Sequence, residues 1–340
     1  MLLYALDKNR KLIYLINPVN IQWNRKYYEC GDFSIQLPVE QHNNDMAYLY
    51  MYGRDELGII NKTVYTYERG IMYVQLSGFF CEKLLDKFVI TSYTKSDSIG
   101  NIVVDMFNTF FKPDENENLP GVTVGDVYLG ELIGYDVRNR KVRDLGKAIY
   151  DLLRTQNMSY KLKYDYAKDT FVFTVYKGLD RTQDQNVNPY VVFSDKFNNI
   201  NNVTYTVDNS NLRNYYIVKV KKNDNTVDTY NFDLSNGGKK YQQYLELSGD
   251  LSYSEIKQAV AENSTSYSGI TNLDVTPNLD FYKYLDDFNL GDVCDIILSH
   301  INVQYTSRIT SIYEVYKGDM LEISLELGDK IPSLLNKARL

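Results

Sequence analysis

The chain carries few side chains of the kinds that enzymes use, and their spacing is unfavourable. Its histidines are His42 and His300 alone. Neither lies within a few residues of another histidine or a cysteine, as a zinc site requires. His42 falls in a polar loop and His300 near a strand end, positions that suit exposed, non-catalytic residues. Cys30, Cys81 and Cys294 each lack an adjacent basic residue that would favour a thiolate. Cys30 stands at a strand start, Cys81 in a short apolar helix and Cys294 in a strand, so each reads as a small buried residue. Three cysteines so far apart make no disulfide framework and fit a reducing compartment. There is no Gly-x-Ser-x-Gly elbow, P-loop or Gly-x-Gly-x-x-Gly turn. The stretch Asp180-Arg181-Thr182-Gln183-Asp184-Gln185-Asn186 has the composition of a calcium loop. It lacks the Asp-x-Asn-x-Asn-Gly order and the glutamate at position twelve. Asp286 and Asp287 are adjacent carboxylates. A glycosidase needs two that face each other across a bond, whereas neighbours on a strand point to opposite faces. The expectation is no catalytic residue, no cofactor-binding residue, no metal ligand and no enzyme activity.

Composition narrows the remaining classes. Length 340 suits two or three domains. A net charge of −7 argues against a general nucleic-acid binder, which needs basic surface against phosphates. No stretch approaches the roughly 18 apolar residues of a membrane helix. Met1 to Lys8 shows no charged leader, so a chain without a signal peptide, made in a cytoplasm and soluble there, is expected. The Asn-x-Ser/Thr triplets at Asn61, Asn157, Asn202 and Asn263 then carry no meaning. Tyrosine is over-represented, 32 residues against one tryptophan. AT-rich codons would raise it together with Asn, Lys and Ile. Half-buried strand surfaces would also use it, since the ring packs while the hydroxyl stays hydrated.

The positioning elements follow from periodicity. Leu3–Leu6 and Leu12–Ile16 read as a hairpin, as do Val64–Tyr67 and Ile71–Leu76 around Gly70. Phe33, Ile35 and Leu37 alternate with Ser34 and Gln36 until Pro38 ends the pairing. From Ser96 to Phe111 the apolar residues fall at helical spacing, with Ser96 or Asp97 as cap. A polar loop, Asp114 to Asn118, leads to a second helix at Val142–Thr155, then strands at Ser159–Tyr164 and Phe171–Tyr176. Strands return at Val191–Phe193, Val203–Val207, Tyr215–Val220 and Val227–Phe232. A short helix spans Ser254–Glu262, and further strands run from Val293 to Leu327, broken at Lys317-Gly318-Asp319.

Several blocks carry a family resemblance. Trp23-x-Arg25-x-Tyr27-Tyr28-x-x-Gly31-Asp32-Phe33-x-Ile35-x-Leu37-Pro38 resembles the opening signature of the siphovirus Gp37-like tail proteins, relatives of the phage baseplate hub. Leu76 to Lys87 looks like that family's strand-to-helix corner, with Lys87 where arginine is common. Gly178-Leu179-Asp180-Arg181-Thr182 looks like its central element. Val191 to Ile200 resembles its next block, with Asn198 where glycine is usual. Leu290-Gly291-Asp292-Val293 and Arg308-Ile309-Thr310 follow near the end, where the latter leads a barrel strand.

The resemblance implies an α+β, mainly β fold. Two β-barrel-like domains, residues 1–95 and 189–340, the second with a short helix, flank an α/β insertion at 96–188. It further implies a homotrimeric baseplate or tail-tip hub in a virion or tail-like particle, assembled in the host cytoplasm. Such a hub joins a six-fold tail tube or distal tail protein above to a three-fold spike or central fibre below, beside other baseplate proteins, and DNA passes through it in a true phage. Family members that cleave cell wall do so with an added C-terminal domain, for which no room is expected after the last strand. The competing readings are a tail-associated glycan- or receptor-binding module that stacks sugars on tyrosines, and a cell-wall hydrolase.

Overall fold

The computed structural model describes residues 2–114, 118–140, 143–318 and 320–328. Residues 115–117 of the expected polar loop, Val142 at the expected helix start, Asp319 of the expected turn and residues 329–340 lie outside the described residues.

The N-terminal part is antiparallel sheet. Its strands are β1 (Leu3–Leu6), β2 (Leu12–Ile16), β3 (Asn20–Lys26), β4 (Asp32–Pro38), β5 (Tyr48–Met51), β6 (Leu57–Glu68) and β7 (Ile71–Phe80), in the spatial order β2-β1-β5-β6-β7-β4-β3. Alternation sets the faces: Phe33, Ile35 and Leu37 are buried, and Pro38 is the last residue of β4. At the β6–β7 turn, Glu68 faces Ile71 and the two residues between both have positive φ, Arg69 at 51° and Gly70 at 85°. That geometry matches the twist of the flanking strands. Trp23, Phe33 and Phe80 fill the core beneath, with the Trp23 and Phe80 rings 4.7 Å apart.

The middle part follows as β8 (Thr94–Ser98), α1 (Ile99–Phe110), β9 (Gly121–Val127), β10 (Leu132–Asp136), α2 (Leu145–Arg154), β11 (Ser159–Asp165) and β12 (Thr170–Tyr176). The helix expected from Ser96 begins only at Ile99, because Thr94 to Ser98 is held in a ladder with β10. Its cap is Ser98, whose side chain accepts from the Asn101 amide, and Asp97 instead accepts from the Ser98 amide and the Asn101 side chain. The helices pack on the sheet β11-β12-β9, in which β9 runs parallel to β12. Phe107 stacks on Phe173 at 4.0 Å.

The last part holds β13 (Val192–Ser194), β14 (Ile200–Asp208), β15 (Tyr215–Lys221), β16 (Val227–Asp233), β17 (Gln242–Ser248), α3 (Tyr253–Ser266), β18 (Ile270–Pro277), β19 (Val293–Leu298), β20 (Val303–Lys317) and β21 (Met320–Gly328). Strands β13, β19, β20, β21, β18 and β14 form a second run of sheet. Sheet β16-β15-β17 packs Tyr216, Val218 and Val220 against Ile256 and Val260 of α3. That helix opens with a capping box between Ser252 and Glu255, which satisfies two otherwise orphaned amides.

The long strand β20 joins the two β runs. Its first half pairs with β19, and its second half pairs with β3, Ser311 opposite Lys26 through Tyr316 opposite Ile21. One sheet of 13 strands results, and none of the described sheets closes into a barrel. The chain is mainly β with an α/β part between, as its sequence indicates.

Candidate functional site

The residues weighed for chemistry are scattered. The His42 ring lies beside Tyr65, and burial lowers its pKa. The side chain of His300 is 88% exposed, with Nδ1 2.6 Å from Asp195. Cys81 and Cys294 are buried and Cys30 is half-buried, and burial pushes all three thiols well up, the reverse of nucleophile activation. Asp180 caps its own turn by accepting from the Thr182 amide and hydroxyl. Asp287 accepts from the Lys283 amide. Among the described residues no group of three or more His, Cys, Asp or Glu is placed to hold a metal ion. None of the described helices is long and apolar enough to cross a membrane.

What the structure does bring together is the set of signature blocks. They meet where the middle part sits against the seam between β3 and β20. Tyr27, just past β3, is buried in contact with three blocks at once. Its hydroxyl accepts from the Gly178 amide and lies 3.2 Å from the Asn157 carbonyl, to which it donates. Its carbonyl accepts from the Ser159 hydroxyl. The Arg308 guanidinium lies 5.3 Å from its ring centre and also donates to the Gly291 carbonyl. Gly291 has φ +92°, and a Cβ there would stand 2.3 Å from the Tyr27 ring. A Cβ on Gly178 would stand 1.9 Å from the Gly291 carbonyl oxygen. Both glycines are therefore required by close approach of backbone to backbone and to a ring.

The Asp-Arg-Thr element and the Gly-Asp turn are two halves of one lock. Asp292 accepts from Arg181 Nε at 2.8 Å, from the Leu179 amide at 2.9 Å and from the Asn289 amide at 3.0 Å. Both members of the ion pair are buried. Asn198 has φ +53°, a conformation that asparagine tolerates better than most residues. The next residue, Asn199, bridges the Ser194 amide and the Val192 carbonyl.

Beside this lock lies a buried ionic network. Core-facing residues of β3 are Ile21, Trp23 and Arg25, and those of β20 include Ile312, Glu314 and Tyr316. Arg25 donates to Glu56 at 2.6 Å, to the Tyr284 hydroxyl at 2.8 Å and to Asn289 at 3.0 Å. Tyr284 in turn donates to Glu314, which also takes Arg54 at 2.6 Å. Burial alone would raise the pKa of Glu56, but Arg25 and Lys161 outweigh it and hold the carboxyl at about 2. Burial likewise opposes the charge on Arg25, and Glu56, Tyr284 and Glu314 reverse that and raise its pKa. Of the hydrogen-bonded residues of this network only Arg25 belongs to a signature block. The signal for Arg25 and Glu314 is in the sequence, where a charged residue occupies the inward beat of an alternating strand. Nothing local marks Glu56, Tyr284 or Asn289.

This arrangement fixes backbones and charges internally. The model of the family described as Siphovirus ReqiPepy6 Gp37-like protein matches residues 133–329, more than half of the chain. The chain belongs to that family. Its fold is that of prophage tail proteins. The tail protein from Neisseria meningitidis MC58 is 11% identical and superposes with a TM-score of 0.64 over 97% of this chain and 96% of that one. Prophage tail protein gp18 from Listeria monocytogenes EGD-e is 11% identical, with a TM-score of 0.61 over 100% and 99% of the two chains. The prophage MuSo2 tail protein from Shewanella oneidensis is 12% identical, with a TM-score of 0.60 over 97% and 98%. No curated protein sequence matches the chain. In this Gp37-like protein, the blocks at Trp23–Pro38 and Leu76–Lys87 precede the residues that the family model matches. They are fastened to those residues by Tyr27, Arg25 and the β3–β20 ladder.

Proposed function

We propose that this Gp37-like protein is a structural hub at the tip of a phage-type tail and acts without catalysis. Three copies form a ring on the tail axis, the six-fold tube or a distal tail protein meets one face, and a three-fold spike or central fibre meets the other. The carrying observation is the seam between β3 and β20, which sets two runs of strands side by side in a single subunit. Three such subunits present six β units to a six-fold ring while keeping three-fold symmetry themselves. The family match and the shared fold of prophage tail proteins support a tail role. The internal use of nearly every buried charge supports a load-transmitting part over a reactive one. The particle, whether phage, bacteriocin or another injection machine, is assembled in the bacterial host cytoplasm. Cryo-electron microscopy of the whole particle tests the reading. Three copies on the axis between tube and spike are expected, and six copies, or a position on the outer rim, would overturn it.

A further inference from the structure

A second buried carboxyl lies close to the ionic network and is not part of it. Glu82 belongs to the short helical turn Cys81–Lys87 that links the N-terminal sheet to the middle part, and it is 7% exposed. One of its oxygens accepts from the Leu162 amide of β11 at 3.2 Å. The other oxygen, Oε2, has no hydrogen-bond partner, and neither does Oε2 of Glu56. Both glutamates line one small cavity of about 20 Å³. Tyr160 lines it too.

The cations near this cavity are already engaged. Arg25 is bound to Glu56, Tyr284 and Asn289. Lys26 pairs with Asp32, and Lys161 reaches Asp55 at 3.4 Å. Lys83, at the edge, pairs with Asp86 at 2.6 Å, and the remaining ionisable groups around the cavity add no positive charge. They are Tyr150 from α2, Tyr160 from β11, Tyr176 from β12, and Cys30 and Asp86 at the edge. A charged Glu82 would therefore sit against a charged Glu56 with one oxygen unsatisfied, an arrangement that burial penalises heavily.

We propose that Glu82 carries a proton in the folded protein, kept there by its burial beside the charged Glu56. This makes the seat of the middle part on the N-terminal sheet a pH-sensitive joint. The helical turn bearing Glu82 supports α2 closely, since a Cβ on Gly146 would lie 2.5 Å from Asp86. Loss of the proton would thus be felt by α2 and β11. Consistent with this geometry, burial first and Glu56 next push the Glu82 carboxyl up to about 7.

Because the folded value lies above the ordinary 4.5, the folded state holds a proton that the unfolded state has lost. Stability must fall as pH rises through that window and level off above about 7. The inference is independent of the hub reading and is tested on the full chain. Urea unfolding from pH 5 to 8 is compared between wild type and E82Q. The wild-type unfolding constant should rise relative to that of E82Q by up to about tenfold per pH unit within the window. Infrared difference spectra between pH 6 and pH 8 should show a protonated-carboxyl band in wild type that is weaker by one carboxyl in E82Q, where Asp151, pushed up to about 6 by burial, still contributes. Equal pH slopes in the two proteins, or a band of equal intensity in both, would overturn the proposal. If E82Q does not fold, E56Q serves instead: removing the neighbouring charge should lower the pH at which the band disappears, and an unchanged midpoint would equally overturn it.

Discussion

Arg25 concentrates most of the buried charge at the junction, which makes it the most informative single substitution. Arg25→Ala leaves the Glu56 carboxylate and the Tyr284 hydroxyl buried without their donor. We expect a loss of about 3–5 kcal/mol in urea unfolding. The double variant R25M/E56L, which removes both charges, should recover most of that loss. A double variant as unstable as R25A would mean that packing, not charge pairing, sets the cost. The pair also fixes a sign for acid denaturation. Glu56 is held at about 2, below its ordinary 4.5, so its stabilisation is complete above pH 4.5 and is lost as pH falls towards 2. Gly178→Ala forces a methyl group into the Gly291 carbonyl. It should lower thermal stability markedly, while Gly238→Ala, with only a contact of 3.1 Å to the Ser235 carbonyl, should do far less in the same melting experiment.

Elements differ in how firmly they are tied. The loop 180–188 is polar, yet Gln185 bonds the Thr182 and Asn188 carbonyls, and Asn188 bonds the Asp180 carbonyl. Limited trypsin digestion should therefore spare Arg181 and cut first at Lys239 or Lys240, in the exposed stretch 235–241. An initial cut at Arg181 would show that the side-chain lacing does not hold the loop. At α3, Ser252→Ala removes the cap and should cost about 1 kcal/mol by chemical denaturation. These element-level features also mark what the sequence discloses. Strong local patterns are legible: the hairpins at β1–β2 and β6–β7, the alternation in β4, the apolar stripe of α1. Weak ones are not. Strand β9, Gly-Val-Thr-Val-Gly-Asp-Val, is mostly exposed and pairs in parallel with a strand almost fifty residues away, so neither burial nor a turn announces it. Strand β17, Gln-Gln-Tyr-Leu-Glu-Leu-Ser, is largely polar and also pairs in parallel. The site divides likewise. Its motifs can be read one by one, but their meeting at Tyr27 depends on pairings between distant parts of the chain. The surplus of tyrosine finds an internal use in part, since Tyr27, Tyr135, Tyr160 and Tyr216 are among the largest fully buried side chains.

For the whole molecule, the structural role proposed above leads to a biochemical expectation. Zymography on purified cell wall should give no lytic band, and metal analysis of the pure protein should find no stoichiometric ion. One tightly held ion per chain would count against a purely structural part. The seam between β3 and β20 has a further effect, on the timing of biogenesis. Lys26 and Ser311, which face each other across it, are 285 positions apart in the chain. At roughly 5–20 residues per second, a nascent chain that has already exposed β3 waits on the order of 15–60 s for its partner strand. Through that interval the N-terminal sheet has an unpaired edge, and edges of this kind recruit stray strands. Such long-range closure also slows folding itself. Acquisition of protease resistance by the N-terminal part should accordingly lag its synthesis and coincide with the emergence of β20. In the ring proposed above, a subunit whose β3 edge stays open until β20 arrives would not enter half-made, so translation itself would act as a checkpoint on assembly.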